Sequence, residues 1–77
     1  RIMDELMEIL EDVRPDIDFS SETKLIDNGV LDSFDIIAIV NECNEKFDIE
    51  ITVASLLPEN FNSAEAIWTL VQKLQNE

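Results

Sequence analysis

Residues 25–47 read LIDNGVLDSFDIIAIVNECNEKF, a stretch in which a polar, glycine-containing segment gives way to apolar residues at helical spacing. Asp32 stands where a helix N-cap belongs, and Asp35 follows three residues later as the acidic partner of a capping box. The apolar stripe expected to face the core comprises Ile36, Ile39, Val40, Cys43 and Phe47. The pattern therefore predicts a helix that begins after Asp32 and stops near Asp48.

The same helix carries a second face outside that stripe. Its members are Phe34, Ile37, Ala38, Asn41, Asn44 and Glu45. An exposed apolar patch with a polar and acidic rim often marks a protein-binding site. Alternatively, Phe34 and Ile37 extend the core beneath the preceding segment. Periodicity alone leaves both interpretations open.

Upstream of this stretch, residues 2–13 predict an amphipathic first helix with an acidic outer face. Its apolar members are Ile2, Met3, Leu6, Met7, Ile9, Leu10 and Val13. Pro15 ends the helix, because the residue before a proline avoids the helical region. Residues 15–31 lack sustained periodicity and predict a long loop, which is uncommon in so small a domain. The side chains expected to hold this loop to the core are Phe19, Leu25, Ile26 and Leu31.

Downstream, Thr52 can cap a brief helical segment that ends before Pro58, and Ser63 or Asn62 can cap a last helix. The apolar stripe of that helix comprises Ala64, Ile67, Leu70, Val71 and Leu74, with Trp68 at its flank. These elements predict an all-α fold, a small four-helix bundle with three longer helices, one short helix and a long loop between helices 1 and 2. We expect a single domain over residues 1–77.

The composition excludes several classes of function. The chain has 18 acidic and 5 basic residues and a formal net charge of −13, so it repels nucleic acids and anionic lipids and attracts basic protein surfaces. It has no His, and its lone Cys43 can form neither an internal disulfide nor a zinc site. The longest apolar run, residues 36–40, is too short to cross a bilayer. We expect a cytoplasmic monomer without membrane insertion.

Ser33 falls in the first turn of the second helix. Unpaired backbone N–H groups and the helix dipole favour negative charge there, so the helix start would hold a phosphate ester on Ser33 Oγ. Serine at a helix start usually serves only as a cap, and position alone does not separate the two roles.

Residues Leu31–Phe34, which follow Leu25–Val30, resemble the attachment motif of acyl and peptidyl carrier proteins. The resemblance covers nearly the whole chain, including the Glu45–Ile51 stretch, which is similar to the end of the second helix in that family. Phe34 stands where the family usually has Leu. Residues 53–61 lack the acidic cluster of fatty-acid carriers, so the chain looks closer to D-alanyl or aminoacyl carriers.

The resemblance implies that a phosphopantetheinyl transferase attaches 4'-phosphopantetheine from coenzyme A to Ser33, and that Asp32 assists through metal and backbone contacts. The terminal thiol of the arm would carry an acyl or aminoacyl group as a thioester. The residues expected to meet partner enzymes are Phe34, Ile37, Asn41 and Glu45. Those partners would include an activating ligase and downstream acyl-transfer enzymes. The protein would then be a carrier and not an enzyme, raising the local concentration of its cargo at each active site.

Three other functions match parts of the sequence. A hydrolase built on Ser33 lacks a His to activate the hydroxyl and lacks a Gly-x-Ser-x-Gly turn. A calcium loop would use Asp16, Asp18, Ser20, Glu22 and Asp27 at EF-hand spacing. In such a loop Ser21 would take the position that needs Gly, and Lys24 a ligand position. The main alternative is a helical adaptor that docks through Phe34 and Ile37 without a prosthetic arm.

The cargo and the pathway are not determined by these residues. A fatty-acyl chain needs room between the helices, and Ile36, Ile39 and Phe61 could either line such a cavity or fill it. Fatty acid, polyketide, nonribosomal peptide and D-alanylation pathways all stay open.

Overall fold

The computed structural model describes residues 2–77, and for Ile2 it describes only the backbone. The helices are α1 (Ile2–Val13), α2 (Ser33–Phe47), α3 (Pro58–Phe61) and α4 (Ala64–Gln75), with a 3₁₀ turn at Val53–Ser55. No strand occurs in residues 2–77. The expected all-α fold, with three longer helices, one short helix and a long loop after the first, is confirmed.

The first helix turns its apolar stripe toward the core. Leu6, Ile9 and Leu10 are buried, while Met3, Met7 and Val13 pack at the edge of the core. The side chain of Ile2, which the sequence assigns to the same stripe, lies outside the described part of the chain. The helix ends at Val13, two residues before Pro15, as the proline rule predicts.

The loop of residues 14–32 is held down by apolar side chains. Three of the four expected anchors are buried, namely Phe19, Leu25 and Leu31. The fourth, Ile26, is only half-buried. Gly29 has a φ of 66°, a left-handed conformation that glycine adopts without steric cost. The loop is therefore anchored to the core and leads directly into the start of α2.

Asn62 clamps this loop to the junction between α3 and α4. The Asn62 carbonyl accepts a hydrogen bond from Leu25 N at 2.9 Å. Its Oδ1 accepts from Ile26 N at 3.0 Å and from Asp27 N at 3.1 Å, and its Nδ2 donates to Asp27 Oδ2 at 3.3 Å. One residue thus supplies acceptors for three consecutive amides of a loop that has no helix or sheet partners for them.

The second helix begins and ends where the sequence predicts. Asp32 is its N-cap, and Asp48 ends it in a left-handed conformation with φ 54°. Within the predicted stripe, Ile39, Cys43 and Phe47 are buried, whereas Ile36 and Val40 are half-buried at the edge of the core. Asn44 Oδ1 accepts a hydrogen bond from Ile51 N at 2.8 Å, which directs the outgoing chain back along the helix end.

The short helix is not where the sequence predicts it. The expected segment ending before Pro58 is only the 3₁₀ turn, and Thr52 makes no side-chain capping bond to it. The helix α3 instead begins at Pro58, which occupies the first helical position. Proline suits that position, because its fixed φ is helical and its missing N–H would have no partner there.

The last helix is capped by Ser63 and not by Asn62, which binds the loop. Ser63 Oγ accepts a hydrogen bond from Ala66 N at 3.0 Å. The buried members of its stripe are Ala64, Ile67, Leu70 and Val71, and Leu74 is half-buried. Trp68 meets Phe47 edge-on, with ring centroids 5.8 Å apart. Since α4 contacts α1, α2 and α3, it forms the central support of the bundle.

We predict that Asn62→Ala lowers the free energy of unfolding by about 1–3 kcal/mol, because it leaves the partly buried Ile26 amide and the exposed Asp27 amide without their side-chain acceptor. Urea unfolding followed by circular dichroism measures the change. Asn41→Ala, a truncation of the same side chain at an exposed position of α2, is the control and should change stability little. Equal stabilities of the two variants would contradict the stabilising role of the Asn62 side chain.

Burial raises the pKa of the Cys43 thiol from 9.0 to about 12, with a smaller contribution from Glu42. Between these values the unfolded chain loses the thiol proton and the native chain keeps it. We therefore predict that stability falls with rising pH in this window, by up to about 1.4 kcal/mol per pH unit. Urea unfolding at about pH 8 and about pH 10 measures the fall, which should be shallower in Cys43→Ala. An equal loss of stability between the two pH values in the wild type and in Cys43→Ala would show that the Cys43 thiol is not its cause.

Candidate functional site

Ser33 is the first residue of α2, and it is exposed. The capping bond at this helix start comes from its neighbour, because Asp32 Oδ1 accepts the Asp35 N–H at 2.9 Å. The sequence left open whether Ser33 is merely a cap. The structure gives that role to Asp32, so the Ser33 hydroxyl is accessible for a different use.

The capping box predicted from Asp32 and Asp35 is complete. Asp35 Oδ2 accepts a hydrogen bond from Asp32 N at 3.1 Å, in return for the bond that Asp32 accepts. The two carboxylates thereby fix the backbone on both sides of Ser33. Asp32 itself is exposed and lies directly beside the hydroxyl in sequence.

Arg14, just beyond the end of α1, joins this helix start to the rest of the molecule. One of its terminal nitrogens donates to Asp35 Oδ2 at 2.7 Å and to the Val30 carbonyl at 3.1 Å. Its other two nitrogens bind the two oxygens of Asp16 at 2.9 and 2.8 Å. A single guanidinium therefore contacts two carboxylates and the loop backbone.

The same contacts shift the pKa values of Arg14 and Asp16. Hydrogen bonds from Arg14 hold the pKa of Asp16 below its usual range. Hydrogen bonds to Asp16 and Asp35 raise the pKa of Arg14, whose guanidinium is charged at neutral pH in any case. The helix start thus contains a permanent cation within an acidic surface.

A phosphate ester fits at Ser33. The amides of Asp35 and Ile36 bind the side chain and the carbonyl of Asp32 respectively, while helix geometry leaves the Ser33 and Phe34 amides without acceptors inside α2. These N–H groups and the helix dipole favour an anion at the helix start. The Ser33 hydroxyl is exposed, as an ester at this position requires.

The four residues expected to meet partner enzymes all lie exposed on α2. They are Phe34, Ile37, Asn41 and Glu45, and their spacing of three and four residues places them on one side of the helix. Phe34 is 81% exposed and Ile37 57%, so the interpretation in which they extend the core is wrong. The face is narrower than the sequence suggests, because Ala38 and Asn44 are half-buried.

A second apolar surface lies on the segment between α2 and α3, and the sequence analysis did not identify it. Val53, Leu56 and Leu57 are large apolar side chains that remain exposed. A small pocket of about 90 Å³ opens beside them. It is lined by Ile26, Ile36, Leu56, Leu57, Pro58 and Phe61. Of the three residues that could line a cavity, Ile36 and Phe61 do so, whereas Ile39 is fully buried in the core.

The acidic residues with EF-hand spacing do not converge. Asp16 is bound by Arg14, and Asp18 accepts hydrogen bonds from the hydroxyls of Ser20 and Ser21 within a turn. Across residues 2–77, no group of three His, Cys, Asp or Glu side chains is arranged to hold a metal ion. In the same residues, no helix is long and apolar enough to span a membrane.

Arg14 is the site residue that sequence reasoning missed. It lies 21 positions before Asp35, and no local pattern predicts a contact over that separation. One feature of the sequence could have pointed to Arg14: no other basic residue occurs between Arg1 and Lys24. A lone arginine in so acidic a stretch is a candidate for a specific ion pair.

Comparisons with known proteins agree with this geometry. A family described as "Phosphopantetheine attachment site" matches residues 1–71. The chain is also similar to proteins named D-alanyl carrier protein, each matched over 73 residues that make up 94% of this chain and 92% of the relative. The identities are 32% for Streptococcus sanguinis, 30% for Streptococcus gordonii and 29% for Lactobacillus acidophilus.

The family match spans nearly the whole bundle, including the start of α2. The fold, the exposed serine and the anion-favouring helix start all suit the prosthetic group that the family binds. The chain belongs to the phosphopantetheine-attachment family and is an acyl or aminoacyl carrier protein with covalently bound 4'-phosphopantetheine.

Proposed function

We propose that Ser33 is the attachment residue and that the cargo is D-alanine or an amino acid of similar size. The observation that supports the proposal most strongly is that Asp32, and not Ser33, caps the start of α2. Asp32 makes the capping bond, which leaves an exposed serine hydroxyl at a helix start that favours a phosphate. When attached, the group supplies a flexible arm with a terminal thiol that can hold a carboxylic acid covalently.

Asp32 is proposed to assist the attachment reaction. Its carboxylate is exposed and carries a negative charge next to Ser33, while its Oδ1 is held by the Asp35 amide. A carboxylate in this position can help to bind the metal ion that accompanies coenzyme A in the transferase. The chain itself supplies no His for proton transfer, so the attachment chemistry belongs to the transferase.

Two observations support a small cargo. The relatives that match this chain are named D-alanyl carrier proteins. In addition, the apolar pocket beside α2 holds only about 90 Å³, roughly the space of three water molecules. A long acyl chain would not fit this pocket unless the residues around it moved, whereas an alanyl group needs no cavity.

We propose three classes of partner: a phosphopantetheinyl transferase, a D-alanine-activating ligase and an acyl-transfer enzyme that accepts the cargo. Phe34 and Ile37 offer the apolar contact and Asn41 and Glu45 its polar rim. The net charge of −13 favours fast and salt-sensitive encounters with basic enzyme surfaces. A non-catalytic monomer in the cytoplasm stays a prediction.

The attachment residue is tested by intact mass after incubation with coenzyme A and a promiscuous phosphopantetheinyl transferase. We predict one phosphopantetheine increment in the wild type and none in Ser33→Ala, because that variant lacks the hydroxyl. Ser21→Ala, which also removes an exposed serine, is the matched control and should be modified like the wild type. An increment in Ser33→Ala, or an unmodified wild type beside a modified control carrier, would reject the proposal.

The docking face is tested by the kinetics of ligase-catalysed loading. We predict that Ile37→Ala raises the KM for the carrier roughly tenfold, because it removes apolar contact area worth about 1.4 kcal/mol. Thermal stability should change little, since the side chain is 57% exposed. Val53→Ala removes an apolar side chain of similar size from outside this face and should leave the KM unchanged. A KM that rises in Val53→Ala and stays unchanged in Ile37→Ala would instead place docking on the segment around Val53.

A further inference from the structure

We infer that Arg14 and Asp35 act as positioning residues, which hold Asp32 and Ser33 in the orientation that the transferase requires. The inference rests on the proposed role of Ser33. Neither Arg14 nor Asp35 belongs to the attachment motif, and neither needs to touch coenzyme A. Their effect is exerted through the first turn of α2.

The inference starts from one oxygen atom with two donors. Asp35 Oδ2 accepts the Asp32 amide at 3.1 Å and the Arg14 guanidinium at 2.7 Å. The side chain of Asp35 is 13% exposed and that of Arg14 is 29% exposed, so water competes little for this contact. The bond that closes the capping box and the bond that fastens it to α1 therefore share an acceptor.

Arg14 also fixes the loop from the other side. The terminal nitrogen that binds Asp35 donates to the Val30 carbonyl at 3.1 Å, and the remaining nitrogens bind Asp16 at 2.9 and 2.8 Å. The rigid fork of a guanidinium allows all of these bonds at once, which an ammonium group does not. The end of α1, the end of the loop and the first turn of α2 thus meet at one side chain.

Loss of the guanidinium has a definite local consequence. Asp35 would then lie near Asp16 and Asp32 with no cation between them, and solvation would draw its carboxylate away from the Asp32 amide. The first turn of α2, which begins with Ser33, would fray. The remainder of the helix would persist, because the buried side chains of Ile39 and Cys43 hold it to the core.

This localisation predicts a specific kinetic signature. Three of the four proposed docking residues, Ile37, Asn41 and Glu45, lie beyond the first turn. Phe34 lies within it, so the KM of the transferase for the variants should rise, but by less than kcat falls. The Ser33 hydroxyl, however, would no longer be held against the reacting phosphate. Loss of such orientation lowers kcat, here by about tenfold. A general loss of stability does not lower kcat as long as the protein stays folded.

The experiment measures kcat and KM of a phosphopantetheinyl transferase with coenzyme A and four carriers: wild type, Arg14→Gln, Asp35→Asn and the double variant. Each single variant should lose about tenfold in kcat, with a smaller rise in KM. The double variant should lose no more than either single one, because both changes break the same bond. Asp35→Asn keeps an oxygen that can accept the Asp32 amide but removes the negative charge that pairs with Arg14, so its loss of kcat reports on the ion pair.

The matched control is Leu74→Ala, which truncates a side chain on the last turn of α4. Its kcat is compared with that of Arg14→Gln under conditions in which both variants show the same decrease in the midpoint of thermal unfolding. It should keep the wild-type kcat. Hydrogen exchange of the Asp32 and Asp35 amides supplies a readout that does not depend on the transferase, and exchange should be faster in Arg14→Gln and unchanged in Leu74→Ala.

Three results would overturn the inference: unchanged kcat in both single variants, fully additive losses in the double variant, or an equal loss of kcat in Leu74→Ala. A wild type that is not modified at Ser33 would instead reject the proposed function. The two failures are therefore distinguishable in one set of measurements.

Discussion

The structure depends on fastening one long loop to a small core. Ordering a loop costs conformational entropy that its own few hydrogen bonds do not offset. Buried Leu25 and Leu31 supply the apolar contribution, Asn62 satisfies the amides in the middle of the loop, and Arg14 binds its far end. Because the loop leads directly into α2, these contacts also determine where the first residue of that helix lies.

Local sequence rules predicted most of the helices. The capping box at Asp32 and the stripe through Cys43 give α2 correctly, because both depend on residues close in sequence. The short helix was misplaced because Pro58 was interpreted as a terminator, although proline is equally suited to the first helical position. The choice between Asn62 and Ser63 as cap could not be made, since it is decided by a loop more than thirty residues away.

The sequence identified candidate site residues but not the tertiary contacts that hold them in place. Ser33 and Asp32 were identified by their resemblance to an attachment motif, and the structure adds that only Asp32 serves as the cap. Periodicity could not decide whether Phe34 faces solvent, because exposure depends on how the loop passes over α2. Arg14 was missed for the same reason, since its contact with Asp35 is a product of tertiary structure.

The contact between Trp68 and Phe47 gives the protein an internal optical probe. Trp68 is the single tryptophan of the chain, and Phe47 is the last residue of α2. Ser33 begins the same helix, roughly 21 Å away along its axis. Indole emission therefore reports on the packing of the bundle at the end remote from Ser33, the proposed attachment residue. Fluorescence can follow unfolding of the unlabelled protein at a point distant from Ser33.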